Sequence, residues 1–512
     1  MHHKSSYQAV ILAAGMGTRL WPLTKSKPKA LIKVNGKPII SYQINAYKNA
    51  GIEEDNIYVV TGYKGEKIVK YLSKKHSKVK IIENPIYDKT NNMYSLYLSL
   101  LNIEKKYVTL ISNGDCIYHN EIIQRVVSNC NVNQIVCDSS FYDLESMKIT
   151  ISRGNIVSSI SKKIHKDVAS ATSIDLYSIS SEGIKKLKRI IENILDEDKN
   201  LWSEVAIDLL LQEYKLHPLD IKGLAWIEID NKDDLIKAYT KFSNFKLTQS
   251  KTILCDLDGT VYLGNKPIKS AIDFINDTSE KYSYYFVTNN TSKSRNDYVI
   301  KLKDCGIRNV DIENILTPTK PMAKYLLRND YHPIFCVGTN SLINELRELG
   351  IKIINSGSSD IINSNYIKSV VVGYDTELSY EKIKTASILL QDKTIRYFAT
   401  HPDKICPTEY GPVPDVGSIV ELLGNATKRK PEKIFGKPFP DILDDVLYKY
   451  NKKELVFIGD RLNTDFELAK NVSIDFILVL SGDTSILEIE DSNSNPTLIV
   501  KDFGHIKLKE SQ

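Results

Sequence analysis

Two short segments of the chain combine residue types that phosphate chemistry requires. In the first, the apolar run Ala9-Val-Ile-Leu-Ala-Ala14 delivers Gly15-Met16-Gly17-Thr18-Arg19. Glycines at such a turn let backbone N–H groups approach a phosphate without a Cβ in the way, and Arg19 adds a fixed positive charge. A dinucleotide-binding fingerprint would need a third glycine where Leu20 stands and a helix at once, whereas Trp21-Pro22-Leu23 continues irregularly, so NAD binding is disfavoured. In the second segment, Ile253-Leu-Cys-Asp256-Leu-Asp258-Gly-Thr260 sets two carboxylates on one side of a turn with a single residue between them. Such a pair can divide into nucleophile and general acid/base if its surroundings separate the two pKa values. Aspartates at turns more often serve the turn itself or calcium, so the rest of the chain must decide.

Both segments open an alternation of strands and helices. Up to about residue 245, β-branched runs at 57–61, 79–82 and 107–111 alternate with helical patterns at 39–50, 66–73 and 121–129, which is the pattern of a parallel-type α/β sheet. Residues 233–245 read as an amphipathic closing helix and 246–250 as a short polar join, so the first domain is expected to span 1–247. A second α/β pattern covers 248–330 and 428–512; between them, 331–427 carries strands of its own and reads as an inserted cap. The stretch 356–365, rich in Ser, Asn and Asp, reads as a loop. The expected fold class is α/β throughout, a Rossmann-like mixed sheet followed by a Rossmann-like core with an inserted α/β cap.

Composition narrows the function classes. A chain of 512 residues predicts about three or four folding units. With 42% apolar and 26% charged residues, disorder and collagen are excluded. A net charge of +5 is too dilute to imply nucleic acid, and the local lysine clusters read as solvated faces. No apolar run approaches the roughly 18–20 residues of a membrane span, and no apolar leader precedes the first strand, so a cytoplasmic protein without membrane contact is expected. The 7 cysteines are scattered without a C-x-x-C pair, which argues against a disulfide framework or a cysteine zinc site.

The run Leu12-Ala-Ala-Gly-Met-Gly-Thr-Arg-Leu-Trp-Pro-Leu-Thr24, then Lys27-Pro-Lys-Ala-Leu31 and Gly36-Lys-Pro-Ile-Ile40, resembles the signature of the sugar-phosphate nucleotidyltransferases. Thr61-Gly-Tyr-Lys-Gly-Glu66, Ser112-Asn-Gly-Asp115 and Glu228-Ile-Asp230 follow in the family's order. The resemblance implies an in-line displacement, in which a substrate phosphate oxygen attacks the α-phosphorus of a nucleoside triphosphate and pyrophosphate leaves. It implies nucleotide binding by Leu12, Ala13, Ala14, Gly15 and Gly17, catalytic cations at Arg19 and Lys29, and Mg²⁺ at Asp115 and Asp230. Lys148 would reach the substrate's phosphate. Thr90-Asn-Asn-Met-Tyr-Ser-Leu96 and Ala30-Leu-Ile-Lys-Val34 are similar to the cytidylyltransferase branch that activates phosphocholine and related phospho-alcohols, which implies CTP as donor with Asn92 and Ser95 in the nucleotide site. Met93, Leu96 and Leu98 read as the buried face of a helix. Trp21 resembles the mannose-1-phosphate guanylyltransferases, and a GTP- or UTP-dependent sugar-1-phosphate enzyme stays open.

After the second segment come Val287-Thr288-Asn289-Asn290-Thr-Ser, Gly436-Lys437-Pro438 and Ile458-Gly-Asp460-Arg-Leu-Asn-Thr-Asp465, a set similar to the haloacid dehalogenase superfamily. The insertion falls where its p-nitrophenylphosphatase-like branch carries a large α/β cap. The resemblance implies that Asp256 attacks phosphorus to form an aspartyl-phosphate, and that Asp258 protonates the leaving alcohol and then activates water. Thr288 would donate to the phosphoryl group, Lys437 would neutralise its charge, and Mg²⁺ would be held by Asp256, the backbone carbonyl of Asp258, and Asp460, with Asp465 as ligand or orienting residue. Asn289, His401 and Asp403 are the expected substrate-binding residues. The branch often shows Asn-Pro-Asp where this chain reads His401-Pro402-Asp403, so its substrates are not transferred. The two resemblances together imply a bifunctional, Mg²⁺-dependent enzyme acting on CTP or another nucleoside triphosphate and on a phosphorylated small alcohol or sugar, in surface polysaccharide assembly. A non-catalytic scaffold role for one half, and a homo-oligomer, stay open.

Overall fold

The computed structural model describes residues 7–245, 247, 251–355, 366–408, 410–492 and 494–506. The stretch 356–365, read as a loop, and most of the 246–250 join lie outside the described residues. The chain divides into two compact units, Met1–Ser243 and Asn244–Gln512.

The first unit is built on Tyr7–Ala13, whose apolar run is buried almost throughout, as a strand covered on both faces must be. It pairs in parallel with Ile57–Thr61 and Val108–Asn113, and Ile57–Thr61 pairs with Lys80–Glu83. Past Val108–Asn113 the ladder turns antiparallel, through Ala171–Ile179 to Lys148–Ser152 and Ile156–Ser161, making a mixed sheet of 9 strands. Alternation divides the central strand between two cores: Val10 and Leu12 pack with Met93 and Leu187 on one face, and Ile11 and Ala13 pack with Ile44 and Ile122 on the other. Helices Asn92–Asn102 and Ser181–Leu195 therefore cover one face, and Ile39–Asn49 and Asn120–Ser128 the other. The carboxyl ends of the parallel strands are left facing a crevice, the usual ligand position in such sheets.

In the second unit six parallel strands run in the order Ile315–Leu316, Ser283–Val287, Thr252–Asp256, Leu455–Gly459, Asp475–Val479, Leu498–Val500. Thr252–Asp256 is central and fully buried, so Asp256 leaves the sheet at its carboxyl end. Between Ile315–Leu316 and Leu455–Gly459 the chain builds another parallel sheet from Ile334–Val337, Ser369–Val372, Arg396–Ala399 and Lys433–Ile434. Helices Tyr380–Leu389 and Val416–Thr427 cover one of its faces, Thr319–Arg328 and Asn340–Glu348 the other. This inserted layer is wider than 331–427. Its edge strand is too short to show a period, and which sheet Thr319–Arg328 packs on is a tertiary choice. Among the described residues, no helix is long and apolar enough to cross a membrane.

Candidate active sites

At the carboxyl end of the first unit's sheet lies a cleft of about 350 Å³. Leu12, Ala13, Ala14, Gly15 and Gly17 line it from the turn after the central strand, and Asn92 and Ser95 from the first turn of Asn92–Asn102. Gly17 takes the left-handed conformation, φ +62°, and a Cβ there would lie 3.1 Å from Lys29 Cβ, so a side chain would be strained and would press on Lys29. Asn92 is tied into the wall by donating to Asn113 Oδ1 at 3.3 Å and accepting from Ser203 N at 2.8 Å. Ser95 accepts from Asn84 Nδ2 at 3.1 Å. The helix buries Met93, Leu96 and Leu100, while Leu98, five positions after Met93, turns partly to solvent.

Lys29 Nζ sits 2.7 Å from Asp115 Oδ2 and 2.9 Å from Asp230 Oδ1, and Arg19 Nη2 is 2.8 Å from the same oxygen of Asp230. Asp115 precedes Cys116–Tyr118 and Asp230 follows Trp226–Glu228; the antiparallel pairing of those two strands brings the aspartates together. Glu228 completes a group of three carboxylates whose oxygens lie within 4.8 Å of one another. Burial, then Asp175 and Asp115, push the Glu228 carboxyl well above its usual range. Burial would raise Asp230 too, but Lys29 and Arg19 hold it below its ordinary value. For Lys29, burial favours the neutral amine, yet Asp115 and Asp230 prevail and raise its pKa. Three converging carboxylates offer the hard oxygen donors that Mg²⁺ takes, and the raised Glu228 marks acid charge that the two cations leave unbalanced.

The structure corrects the reading of Lys148. Its side chain is almost wholly buried, donates to Leu144 O at 2.9 Å and does not line the cleft. Met147 lines it, and strand alternation turns the next residue to the opposite side. The lysine that does reach the cleft is Lys162, after Ile156–Ser161. Asp175 and Glu204 line it as well, and none of these three carries a local motif. Asp175 sits at a break in the ladder of Ala171–Ile179 with φ 57°, a strained conformation for a residue with a side chain. Glu228 was legible in principle, since Glu228-Ile-Asp230 is an i, i+2 pair of acids at a strand end.

In the second unit Lys437 Nζ contacts Asp256 Oδ1 and lies 2.7 Å from Asp465 Oδ1. Asn289 grips the lysine's backbone from both sides, accepting from Lys437 N at 2.7 Å and donating to Lys437 O at 3.0 Å. Thr288 is buried beside it, at the end of Ser283–Val287. Asp256, Asp460 and Asp465 are buried with carboxylate oxygens within 4.8 Å of one another. Asp460 Oδ2 accepts from Asp483 N at 2.7 Å, while its Oδ1 is buried without a partner. Burial and Asp465 push Asp460 up to about 7, and burial raises Asp256 well above its usual range despite Lys437. One lysine among three buried acids, with an orphaned carboxylate oxygen, fits a bound divalent cation with oxygen ligands. Asp258 stands apart from this cluster; burial raises its pKa, against the pull of Lys301 and Arg461. Burial thus raises both aspartates, and a cation held beside Asp256 would favour its ionised form over that of Asp258.

Asp403 comes from the inserted layer and accepts from Asn289 Nδ2 at 3.1 Å, so it stands next to the Lys437 clamp. His401 is fully buried between Asp403 and Asp415. Arg461, which follows Asp460, lies 4.0 Å from Asp403 and 3.5 Å from Asp483. Sequence reasoning missed it because only the fold turns it toward the insertion.

Comparison with known proteins places a nucleotidyl transferase domain in the first half of the chain and hydrolase domains in the second. A nucleotidyl transferase family model matches residues 8–142, a haloacid dehalogenase-like hydrolase model 253–352, and a related HAD-hydrolase-like model 434–506. The acid sugar phosphatase of Staphylococcus haemolyticus is 32% identical over 261 residues, which are 50% of this chain and 94% of that protein. That of Staphylococcus aureus is 30% identical over 264 residues, 50% of this chain and 97% of the other. A crystal structure of 4-nitrophenylphosphatase from Thermotoga maritima is 34% identical, with a TM-score of 0.45, covering 50% of this chain and 96% of that one. With a nucleotidyl transferase domain in its first half, the chain belongs through its second half to the haloacid dehalogenase-like phosphatases.

Proposed function

We propose that the protein is a bifunctional Mg²⁺-dependent enzyme. Its first half transfers CMP from CTP to a phosphorylated alcohol or sugar, and its second half hydrolyses a phosphomonoester; the products serve surface polysaccharide assembly. In the first half, a phosphate oxygen of the acceptor forms a bond to the α-phosphorus while the bond from that phosphorus to the bridging oxygen breaks and pyrophosphate leaves with the electron pair. Arg19 and Lys29 stabilise the charge that builds on the phosphates. The choice of CTP is supported by Asn92 and Ser95 lining the cleft, whereas Trp21 is half-exposed and does not line it.

In the second half the Asp256 carboxylate forms a bond to phosphorus as the ester bond breaks, and Asp258 gives its proton to the leaving alkoxide. Asp258 then takes a proton from water as that water's oxygen attacks the aspartyl-phosphate, releasing phosphate and Asp256. Bound Mg²⁺ would be held by Asp256, Asp460 and the carbonyl of Asp258, oriented by Asp465, and would screen charge on the phosphoryl oxygens. The observation that carries the reading is the recurrence of one arrangement in both halves: a lysine bridging two aspartates, one of them at the carboxyl end of the sheet.

The test is pyrophosphate release by the Asp256→Asn protein, with CTP, GTP, UTP, ATP and dTTP each offered phosphocholine, glycerol phosphates, sugar-alcohol phosphates and hexose 1-phosphates. Release with CTP and a phospho-alcohol supports the reading. Release only with GTP or UTP and a hexose 1-phosphate moves the protein to sugar-nucleotide synthesis, and wild-type hydrolysis by Asp256→Asn refutes the nucleophile.

A further inference from the structure

Apart from the two carboxylate clusters above, one more group of metal-ligating side chains occurs among the described residues: His401, Asp403 and Asp415, with donor atoms within 4.8 Å of one another. All belong to the inserted layer. His401 and Asp403 follow Arg396–Ala399, and Asp415 caps Val416–Thr427.

His401 is 0% exposed, and neither ring nitrogen has a hydrogen-bond partner. Each nevertheless faces a carboxylate: Nδ1 is 3.6 Å from Asp403 Oδ2 and Nε2 is 3.5 Å from Asp415 Oδ1. Those separations exceed the roughly 2.7–3.2 Å of an N–H···O bond. They match the spacing of about 3.3–3.6 Å that two ligands of one tetrahedral ion show when each lies at about 2.0–2.2 Å from it. A neutral imidazole has one N–H, so its other nitrogen would aim a lone pair at a carboxylate oxygen inside a closed site, which is unfavourable. A cation on that nitrogen removes the repulsion and leaves the N–H to the other carboxylate, the partner that metal-ligating histidines usually have. Neighbouring groups supply only part of the charge. Asn289 and the Val416 N–H are neutral donors to Asp403 and Asp415, and Arg461 is shared with Asp483.

We propose that His401, with Asp403 and Asp415, forms a cation site of the inserted layer, distinct from the Asp256–Asp460–Asp465 cluster, and that it takes a borderline divalent ion such as Zn²⁺. The imidazole sets the metal class, since nitrogen donors suit Zn²⁺ while Mg²⁺ prefers oxygen. With one carboxylate accepting the N–H, His401 and the other carboxylate are the side-chain ligands, and the remaining coordination positions are open to water or a substrate oxygen. Through Asp403 and Asn289 the ion ties the inserted layer to the backbone of Lys437.

The full-length protein is stripped of metal, equilibrated with Zn²⁺ and Mg²⁺, gel-filtered, and its metal content measured beside His401→Asn, Asp415→Asn and Asp460→Asn. His401→Asn keeps a compact polar side chain in the space of the imidazole and is expected to fold. Wild type and Asp460→Asn should retain one more equivalent of zinc than His401→Asn and Asp415→Asn, and Zn²⁺ should raise the melting temperature of wild type more than that of His401→Asn. Equal zinc in wild type and His401→Asn, or no zinc retained by wild type, overturns the proposal. So does a ¹⁵N spectrum showing His401 protonated on both nitrogens in zinc-containing buffer.

Discussion

Lys437 and Asp465 form a 2.7 Å ion pair out of reach of solvent, with the aspartate side chain 0% exposed. The pair holds the amine against Asp256 before any substrate arrives, and the Asn289 clamp fixes the backbone beneath it. In the proposed mechanism Lys437 is thus preorganised for the charge of a transferring phosphoryl group. Lys437→Met, which keeps the stem and removes the charge, should lower kcat for p-nitrophenyl phosphate by about 10²–10³-fold. Pyrophosphate release by the same protein should be unchanged, and wild-type hydrolysis would exclude the amine from the chemistry.

In the other unit Lys29 bridges Asp115 and Asp230, and the proposed mechanism gives it the corresponding part. Lys29→Met should reduce nucleotidyl transfer by about 10²-fold or more and leave phosphatase kcat intact, because the two active sites use separate residues. Loss of both activities together would point to a folding defect rather than to a lost phosphate contact.

Gly17 tests the phosphate turn by backbone geometry. In the left-handed region a side chain costs about 1–2 kcal/mol, and the Cβ of Gly17→Ala would also press on Lys29 from 3.1 Å. The variant should melt a few degrees lower and show a raised KM for the nucleotide. An unshifted KM, measured by pyrophosphate release, would mean that the turn does not touch the phosphates.

Metal removal should reveal the buried acids of the phosphatase site. Asp460 is pushed from 3.8 up to about 7 by burial and Asp465. A carboxyl raised on folding favours the folded state fully below its unfolded pKa, and that contribution is lost as pH rises through the folded value. In EDTA, therefore, calorimetry should show the phosphatase unit melting at lower temperature as pH rises from about 4 to about 7. Mg²⁺ should restore most of the loss at neutral pH, where the carboxylates are free to bind it. A melting temperature flat across that range, or indifferent to Mg²⁺, would argue against a metal at Asp460.

How far the sites were legible followed how local their signals are. The glycine turn after Tyr7–Ala13 and the acids after Thr252–Asp256 are read within a few residues, because a strand end and its turn are specified by their own sequence. Lys148 shows where that fails: on a strand one step changes the face, and Met147 faces the cleft in its place. Lys162, Asp175 and Glu204 come from three separate elements and share no spacing.

By itself the sequence determined the α/β class, the phosphate-handling turns and the order of the motifs, all of which rest on short-range periodicity and on residue chemistry. Only the tertiary structure decided which acids converge. Asp115 meets Asp230 and Glu228 because Cys116–Tyr118 pairs with Trp226–Glu228, Asp256 meets Asp460 and Asp465 because Leu455–Gly459 lies beside Thr252–Asp256, and Lys437 is brought to them from the chain after Lys433–Ile434. It also enclosed His401 between Asp403 and Asp415 and turned Arg461 toward the insertion. Partners so far apart in sequence are chosen by the packing of whole sheets, where burial and mutual charge set each group's chemistry, and no local pattern carries that information.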